Sequence, residues 1–306
     1  MENLIETVNL TKRYNRSVAL DDVSIHVRQG EIYGLIGKNG AGKSTLFKTM
    51  MGLAPKTSGE IKLFGETSSS GLDHARQRMG FMMGASFFPY LSASENLEYF
   101  RRLKGISDKN EVHRVLKLVE MDSVKKPFKS FSLGMKQRVS IANALMGYPD
   151  VIVLDEPING LDPQGIADFR RIVQKLNKEN KITFLISSHI LGELELMATR
   201  FGFIHDGKLI EELNRETVRK KTEEKVLVKT DDPKKAAYLL EQQFDGVEYI
   251  INGDKELVVS KMTDQSDEIA KLMVTNDLKL YKLITQEISI QDYYLNLIAK
   301  GGTQRA

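Results

Sequence analysis

The segment GKNGAGKST at 37–45 restricts this chain more than any other stretch. A short apolar run, EIYGLIG (31–37), leads into it, and a helical pattern, AGKSTLFKTMMG (41–52), leads out until Gly52 stops it. The spacing G-x-x-x-x-G-K-[ST] between a strand and a helix is that of a loop wrapped around phosphate. Gly37, Gly40 and Gly42 let the backbone bend closely round an anion, so that amide N–H groups point inward at phosphate oxygens. Lys43 sets a cation against the β- and γ-phosphates, the Ser44 hydroxyl is placed to ligate Mg²⁺, and Thr45 reaches the α-phosphate. Asn39 and Ala41 complete the candidate cradle. Nucleotide binding is the first expectation.

Up to about residue 215 the pattern keeps alternating between strand and helix. In 111–121, Val112, Val115, Leu116 and Val119 fall at i, i+3, i+4 and i+7, an amphipathic helix. VIVLDE (151–156) reads as a buried strand ending in two carboxylates, Ile166, Phe169, Val173 and Leu176 mark another helix, and ITFLISSH (182–189) another buried strand. Continuous apolar strands alternating with helices predict an α/β fold, a mostly parallel sheet covered on both faces. With 306 residues there is room for about two domains.

The polar stretch RETVRKKTEEK (215–225) has no paired apolar stripe and is the predicted boundary, with 216–225 as a linker. Beyond it the order is strand (226–230), helix (234–244), strand (247–251), strand (256–260), helix (266–276), strand (279–285). That order predicts a small ferredoxin-like α+β domain over 226–306. A last helix follows with Ile290, Tyr293, Tyr294, Leu297 and Ile298 on one face, and Ser289 and Asp292 have the spacing of an N-terminal capping box.

Composition excludes several classes. The formal net charge of +3 gives no support to coating nucleic-acid phosphates, so no nucleic-acid partner is expected. With no cysteine there are no disulfides, thiolate metal sites or cysteine nucleophiles. No apolar run approaches the roughly 18–20 residues that span a bilayer, and the N-terminus lacks the apolar core of a signal peptide. A cytoplasmic protein is expected, acting at a membrane only through a partner.

Two further places carry chemistry. Asp155 and Glu156 end a strand where ligands of parallel sheets bind; the first can hold Mg²⁺ and the second can polarise an attacking water. In isolation such a pair more often merely opens a loop; beside a phosphate loop the chemical reading is favoured. His189 follows a strand in the same way and can contact a γ-phosphate, although a lone histidine there can also be structural.

The segment FSLGMKQRVSIANAL (131–145) resembles the signature, commonly LSGGQ, of ATP-binding-cassette (ABC) ATPases: Ser132 and Gly134 match, followed by Gln137 and Arg138. In the family's order stand Tyr14 of the aromatic loop, GKNGAGKST, the signature, VIVLDEP, NGLD (159–162) and SSH (187–189), together covering about two thirds of the chain. SLGMKQR and the tail ISIQDYYLNLI look like the bacitracin- and lantibiotic-export subfamily. The resemblance implies an ABC nucleotide-binding domain over 1–215 with a helical subdomain at about 86–147, and an accessory domain after it. It implies ATP with Mg²⁺ and a head-to-tail dimer, in which the phosphate loop of one copy faces Ser132 and Gly134 of the other. It further implies that Tyr14 stacks on adenine, that Asp162 lies in the interface, and that Lys43, Glu156 and His189 act in hydrolysis. The implied activity is ATP hydrolysis driving a separate integral membrane permease, at the inner face of the cell membrane, with a peptide antibiotic as cargo. The alternative is a soluble member of the superfamily acting on DNA or the ribosome; the single phosphate loop and lack of heptads speak against it.

Three positions depart from the family pattern. Gly84 stands where a glutamine is usual, with no Gln until Gln137; Ile158 replaces a Thr after DEP; and Leu133 replaces the first Gly of the signature.

Overall fold

The computed structural model describes residues 2–15, 17–82, 87–222, 224–260, 262–286 and 289–302. The chain divides into two compact units, Met1–Arg215 and Glu216–Ala306.

The first unit opens with strands β1 (Asn3–Tyr14), β2 (Ser17–Val23), β3 (His26–Arg28) and β4 (Ile32–Ile36), then helix α1 (Lys43–Met50). Strand β5 (Ser58–Leu63), α2 (Ser69–Gln77) and β6 (Met79–Met82) follow. Three helices come next: α3 (Ala93–Leu103), α4 (Glu111–Leu118) and α5 (Leu133–Leu145). The unit continues with β7 (Val151–Asp155), α6 (Pro163–Asn180), β8 (Thr183–Ser188), α7 (Leu191–Met197), β9 (Arg200–His205) and β10 (Lys208–Asn214). The strands form two sheets among the described residues. One is six-stranded, ordered β10-β9-β4-β8-β7-β6 and parallel except for the β10/β9 pair. The other is an antiparallel sheet in which β1 pairs with β2, β3 and β5.

The parallel strands are apolar because both of their faces are covered: every residue of β4 and β8 is buried. The antiparallel strands and α1 share one core with them, which includes Leu10, Leu20, Val27, Tyr33, Phe47 and Val153. Sequence reasoning did not foresee the antiparallel sheet. Its strands alternate buried and exposed residues and carry charges such as Lys12 and Asp22, so they lack the apolar runs that mark β4, β7 and β8.

Local signals set the helix starts. Ser92 and Glu95 form a reciprocal capping box on α3. The Asp162 side chain accepts from Gly165 N to cap α6, with Pro163 in the first turn. The register brings the C-terminal ends of three neighbouring strands together: Ile36 of β4 pairs with Ser188 of β8, and Ser187 of β8 with Asp155 of β7. The three segments expected to carry chemistry leave the sheet from these ends.

In the second unit come α8 (Arg215–Thr222), β11 (Lys225–Thr230), α9 (Pro233–Gln243), β12 (Glu248–Asn252), β13 (Glu256–Ser260), α10 (Ser266–Thr275), β14 (Leu280–Gln286) and α11 (Ile290–Gly302). The sheet order is β12-β13-β11-β14, antiparallel throughout. Val226 and Val228 of β11, Leu257 and Val259 of β13, Ala236 and Leu240 of α9, and Ile269 and Met273 of α10 form its core. On α11, Ile290 and Tyr294 are buried, and Asp292 N donates to Ser289 Oγ. The polar stretch read as a linker is helical over Arg215–Thr222. Glu216 lies in its first turn and Arg219, Lys220 and Lys221 in its last, the arrangement that favours the helix dipole, and Val218 is buried. A single buried aliphatic residue leaves no stripe for a periodicity argument to find.

Candidate active site

The phosphate loop leaves β4 and returns as α1. Gly42 has φ +107°, and a Cβ there would lie 2.7 Å from the Ala19 carbonyl oxygen. At Gly37 a Cβ would lie 2.6 Å from the Ile204 carbonyl oxygen. Both glycines are therefore required by close backbone approach, as the motif predicts. Asn39, Gly40, Gly42, Lys43, Ser44, Thr45, Glu156 and Ala19 line a cavity of about 180 Å³. Gly37 and Ala41 shape the loop without lining it.

Lys43 is only 5 % exposed and aims its ammonium at this cavity. Its Nζ donates to the carbonyls of Gly37 (2.5 Å) and Lys38 (3.1 Å) and pairs with Glu156 Oε1 at 3.0 Å. The other carboxylate oxygen of Glu156 meets His189 Nδ1 at 2.7 Å. Glu156 thus stands between a cation and an imidazole. It is a non-glycine residue at φ +49°, a left-handed turn that re-aims the chain directly after β7. The fixed cation and the loop of backbone N–H groups suit a polyphosphate. The carboxylate next to them suits activation of a water.

Asp155 and Glu156 are tied together by a residue to which sequence reasoning gave no role. Ser187 Oγ donates to Asp155 Oδ1 (2.7 Å) and accepts from Glu156 N (2.9 Å). The only signal for it was its place in SSH, two residues before His189. Among the described residues no group of three or more His, Cys, Asp or Glu gathers as a metal cage. Ser44 lines the cavity, whereas Asp155, held by Ser187, does not; a hydroxyl and a carboxylate are the donor types that Mg²⁺ takes, since it keeps waters and substrate phosphates in its shell and needs only one or two protein oxygens.

The structure does not bring every candidate residue to this cavity. Tyr14 is 44 % exposed at the end of β1, with Lys12 Nζ 4.6 Å from its ring centroid, and is not among the lining residues. Ser132, Gly134 and Asp162 line a different cavity of about 570 Å³, together with Leu133, Gly160 and Leu161. Ser132 is the N-cap of α5 and accepts from Met135 N, so the signature opens a helix whose first N–H groups are available to an anion. Ile158 is buried, and Gly84 lies outside the described residues.

Similarity to known proteins agrees with this geometry. The profile of the ABC transporter family matches residues 20–159. The bacitracin transport ATP-binding protein BcrA of Bacillus licheniformis is 40% identical over 305 residues, covering 99% of each chain. The chain belongs to the ABC transporter family. Another relative of this ABC protein, the lantibiotic transport ATP-binding protein SrtF of Streptococcus pyogenes, is 40% identical over 68% of this chain and 89% of its own. Among solved structures, cbiO1 of Clostridium perfringens, described as part of the ABC transporter complex cbiONQ, matches with a TM-score of 0.65 at 26% identity. It covers 71% of this chain and 91% of its own. The bacterial ABC transporter cassette MJ0796, described as dimeric, matches with a TM-score of 0.62 at 27% identity, over 69% and 98%. This ABC protein is an ATPase.

His189 has one side-chain partner here, Glu156, so its removal should act on turnover and not on affinity. For His189→Ala, titration with a fluorescent ATP analogue should give an unchanged Kd. Steady-state hydrolysis at saturating ATP should fall on the order of 10²–10³-fold, the usual loss for one preorganised polar contact. A wild-type rate would make His189 a purely structural residue.

Proposed function

We propose that this chain is the ATP-hydrolysing subunit of an exporter and works as a head-to-tail pair, on the cytoplasmic face of the cell membrane, beneath a separate permease that expels a peptide antibiotic. The observation that carries the paired arrangement is the split of the site. The phosphate loop and the Ser132–Gly134 segment open into two cavities with no lining residue in common. A second copy supplies the missing half: its Ser132 and Gly134 close on the γ-phosphate held by Lys43, its Asp162 lies in the interface, and Tyr14 carries the adenine. Ser44 and Asp155 would hold Mg²⁺, which would offset the negative charge of the phosphates. Glu156 takes a proton from the attacking water, oriented by His189 and by the Ser187 bridge.

In this reading residues 1–215 are the nucleotide-binding domain, with a helical subdomain at about 86–147 that contains α3 to α5. Residues 226–306 are a ferredoxin-like accessory domain, a reading supported by the antiparallel β12-β13-β11-β14 order. No helix among the described residues is long and apolar enough to cross a membrane, so the passage itself falls to the permease. Peptide antibiotics are favoured because BcrA, a bacitracin transport protein, aligns along the full length of this chain, accessory unit included. Neither relative named above is described as acting on DNA or the ribosome.

The test is a resistance assay in a sensitive host carrying this gene, its membrane partner, both or neither. Only the pair should raise the inhibitory concentration of bacitracin or a lantibiotic, and Glu156→Gln should abolish the gain. Failure of the pair against every peptide tried would remove the cargo assignment, and failure to co-purify with any integral membrane protein would remove the permease.

A further inference from the structure

A chain of ion pairs joins three helices behind the signature segment. Glu120 lies one residue beyond Val119, the C-cap of α4, and its Oε2 meets Arg138 NH1 of α5 at 3.0 Å and Arg171 NH2 of α6 at 2.8 Å. Arg138 NH2 in turn donates to Asp168 Oδ2 of α6 at 2.6 Å, and Gln164 Nε2 holds the other oxygen of Asp168 at 3.2 Å. Arg138 lies five residues beyond the start of α5, whose cap is Ser132, and Asp168 lies five beyond the start of α6, whose cap is Asp162. One guanidinium therefore grips both helices whose N-termini carry the candidate interface residues.

Three observations give this network a geometric role. Glu120 has φ +59° just past the helix end, a position where glycine is the usual residue, so the backbone accepts strain at a residue whose carboxylate is used twice. The cavity between the two helix starts is bounded by Ser132, Gly134, Gly160 and Asp162 and by the network residues Glu120 and Arg138. Apolar side chains, Leu133 and Leu161 among them, line this space without closing it. Finally, the Glu120 and Arg171 side chains are 43 % and 52 % exposed, and ion pairs so exposed add little to folding stability. The guanidinium of Arg171, and after it that of Arg138, hold the Glu120 carboxyl down at about 2, so the network stays charged at any physiological pH.

We propose that Glu120 is a positioning residue for ATP-dependent pairing: by bracing Arg138 and Arg171 together, it sets the angle at which Ser132 and Gly134 meet the γ-phosphate held by the second copy. This rests on the two-copy reading above. The test uses the full chain carrying Glu156→Gln, alone and with Glu120→Gln or Glu120→Ala. Sedimentation at varied protein concentration, with saturating ATP and Mg²⁺, gives the dimer Kd. Fluorescent ATP titration at low protein concentration and the thermal midpoint serve as readouts of binding and folding. Glu98→Gln, which removes an equal charge from α3 outside the network, is the control.

Both Glu120 substitutions should weaken the dimer on the order of 5–30-fold, since each of the two copies loses a brace no stronger than an exposed ion pair. ATP affinity and the thermal midpoint should stay at the parent values, and Glu98→Gln should leave the dimer Kd in place. An unchanged dimer Kd in the Glu120 variants overturns this proposal alone. So does a weakened dimer accompanied by a lowered thermal midpoint, which would assign Glu120 to the fold. Absence of an ATP-dependent dimer in the Glu156→Gln parent overturns the two-copy reading, and the proposal with it.

Discussion

Glu156→Gln should bind ATP as well as the parent chain, hydrolyse it about 10²–10⁴-fold more slowly, and convert from monomer to dimer when ATP and Mg²⁺ are added. The substitution keeps the shape and the contact with His189 Nδ1 but removes the charge that would draw a proton from water. Lys43, Ser44 and Asp155 are untouched, so phosphate and metal binding persist. With hydrolysis blocked, each γ-phosphate would go on joining a phosphate loop to the opposite Ser132–Gly134 segment. Size-exclusion chromatography with light scattering reads the mass directly, and an elution volume indifferent to ATP would falsify the sandwich for the isolated subunit. Ser132→Arg added to this variant should return it to a monomer by filling the γ-phosphate seat. Ser132 also caps α5, so Ser132→Ala, which loses only the cap, is the necessary companion; its cost of about 1 kcal/mol falls on the helix.

Lys43→Ala should lower ATP affinity by about 100-fold or more. Two or more charge-assisted contacts to phosphate vanish, each contributing on the order of 1.5–3 kcal/mol. The structure enlarges that expectation. Lys43 Nζ is also the cation beside Glu156 Oε1 at 3.0 Å, and without it an uncompensated carboxylate faces the same cavity the phosphates must enter. Repulsion then adds to the lost attraction. Fluorescent ATP titration measures the change, and unchanged affinity would remove the central assignment of the phosphate loop. Thermal unfolding without nucleotide separates this effect from damage to the buried loop.

The parts of the site that could be read from residues alone were those in which one local rule dictates several neighbours. GKNGAGKST reads as a unit because backbone N–H groups, a lysine and a hydroxyl converge on one anion in such a loop, and the close approaches at Gly37 and Gly42 leave no room for a Cβ. Buried parallel strands announce themselves because both faces need apolar residues, which made β4, β7 and β8 legible. What stayed hidden was whatever depends on partners distant in sequence. Ser187 is an ordinary serine until β7 and β8 align and place its hydroxyl between Asp155 and the Glu156 amide. Arg138 and Arg171 lie on two different helices and Glu120 just past the end of a third, and no periodicity links them. The antiparallel sheet was missed because its half-buried strands spread their apolar residues thinly. The helix of α8 was missed because its polar residues mask its one buried aliphatic side chain, Val218.

The two cavities of one chain also have a kinetic meaning. If catalysis needs Lys43 of one copy and Ser132 of another, the free subunit obeys a second-order rate law when dilute: halving its concentration quarters the rate. A permease that holds two copies side by side turns the encounter into an intramolecular event at an effective concentration in the millimolar range. Hydrolysis is then confined to assembled transporters without any inhibitor or switch, because unassembled subunits at ordinary cellular abundance seldom meet. An active site divided in this way between two surfaces would act as a safeguard against idle ATP consumption, its strictness tuned by how weakly the free subunits associate.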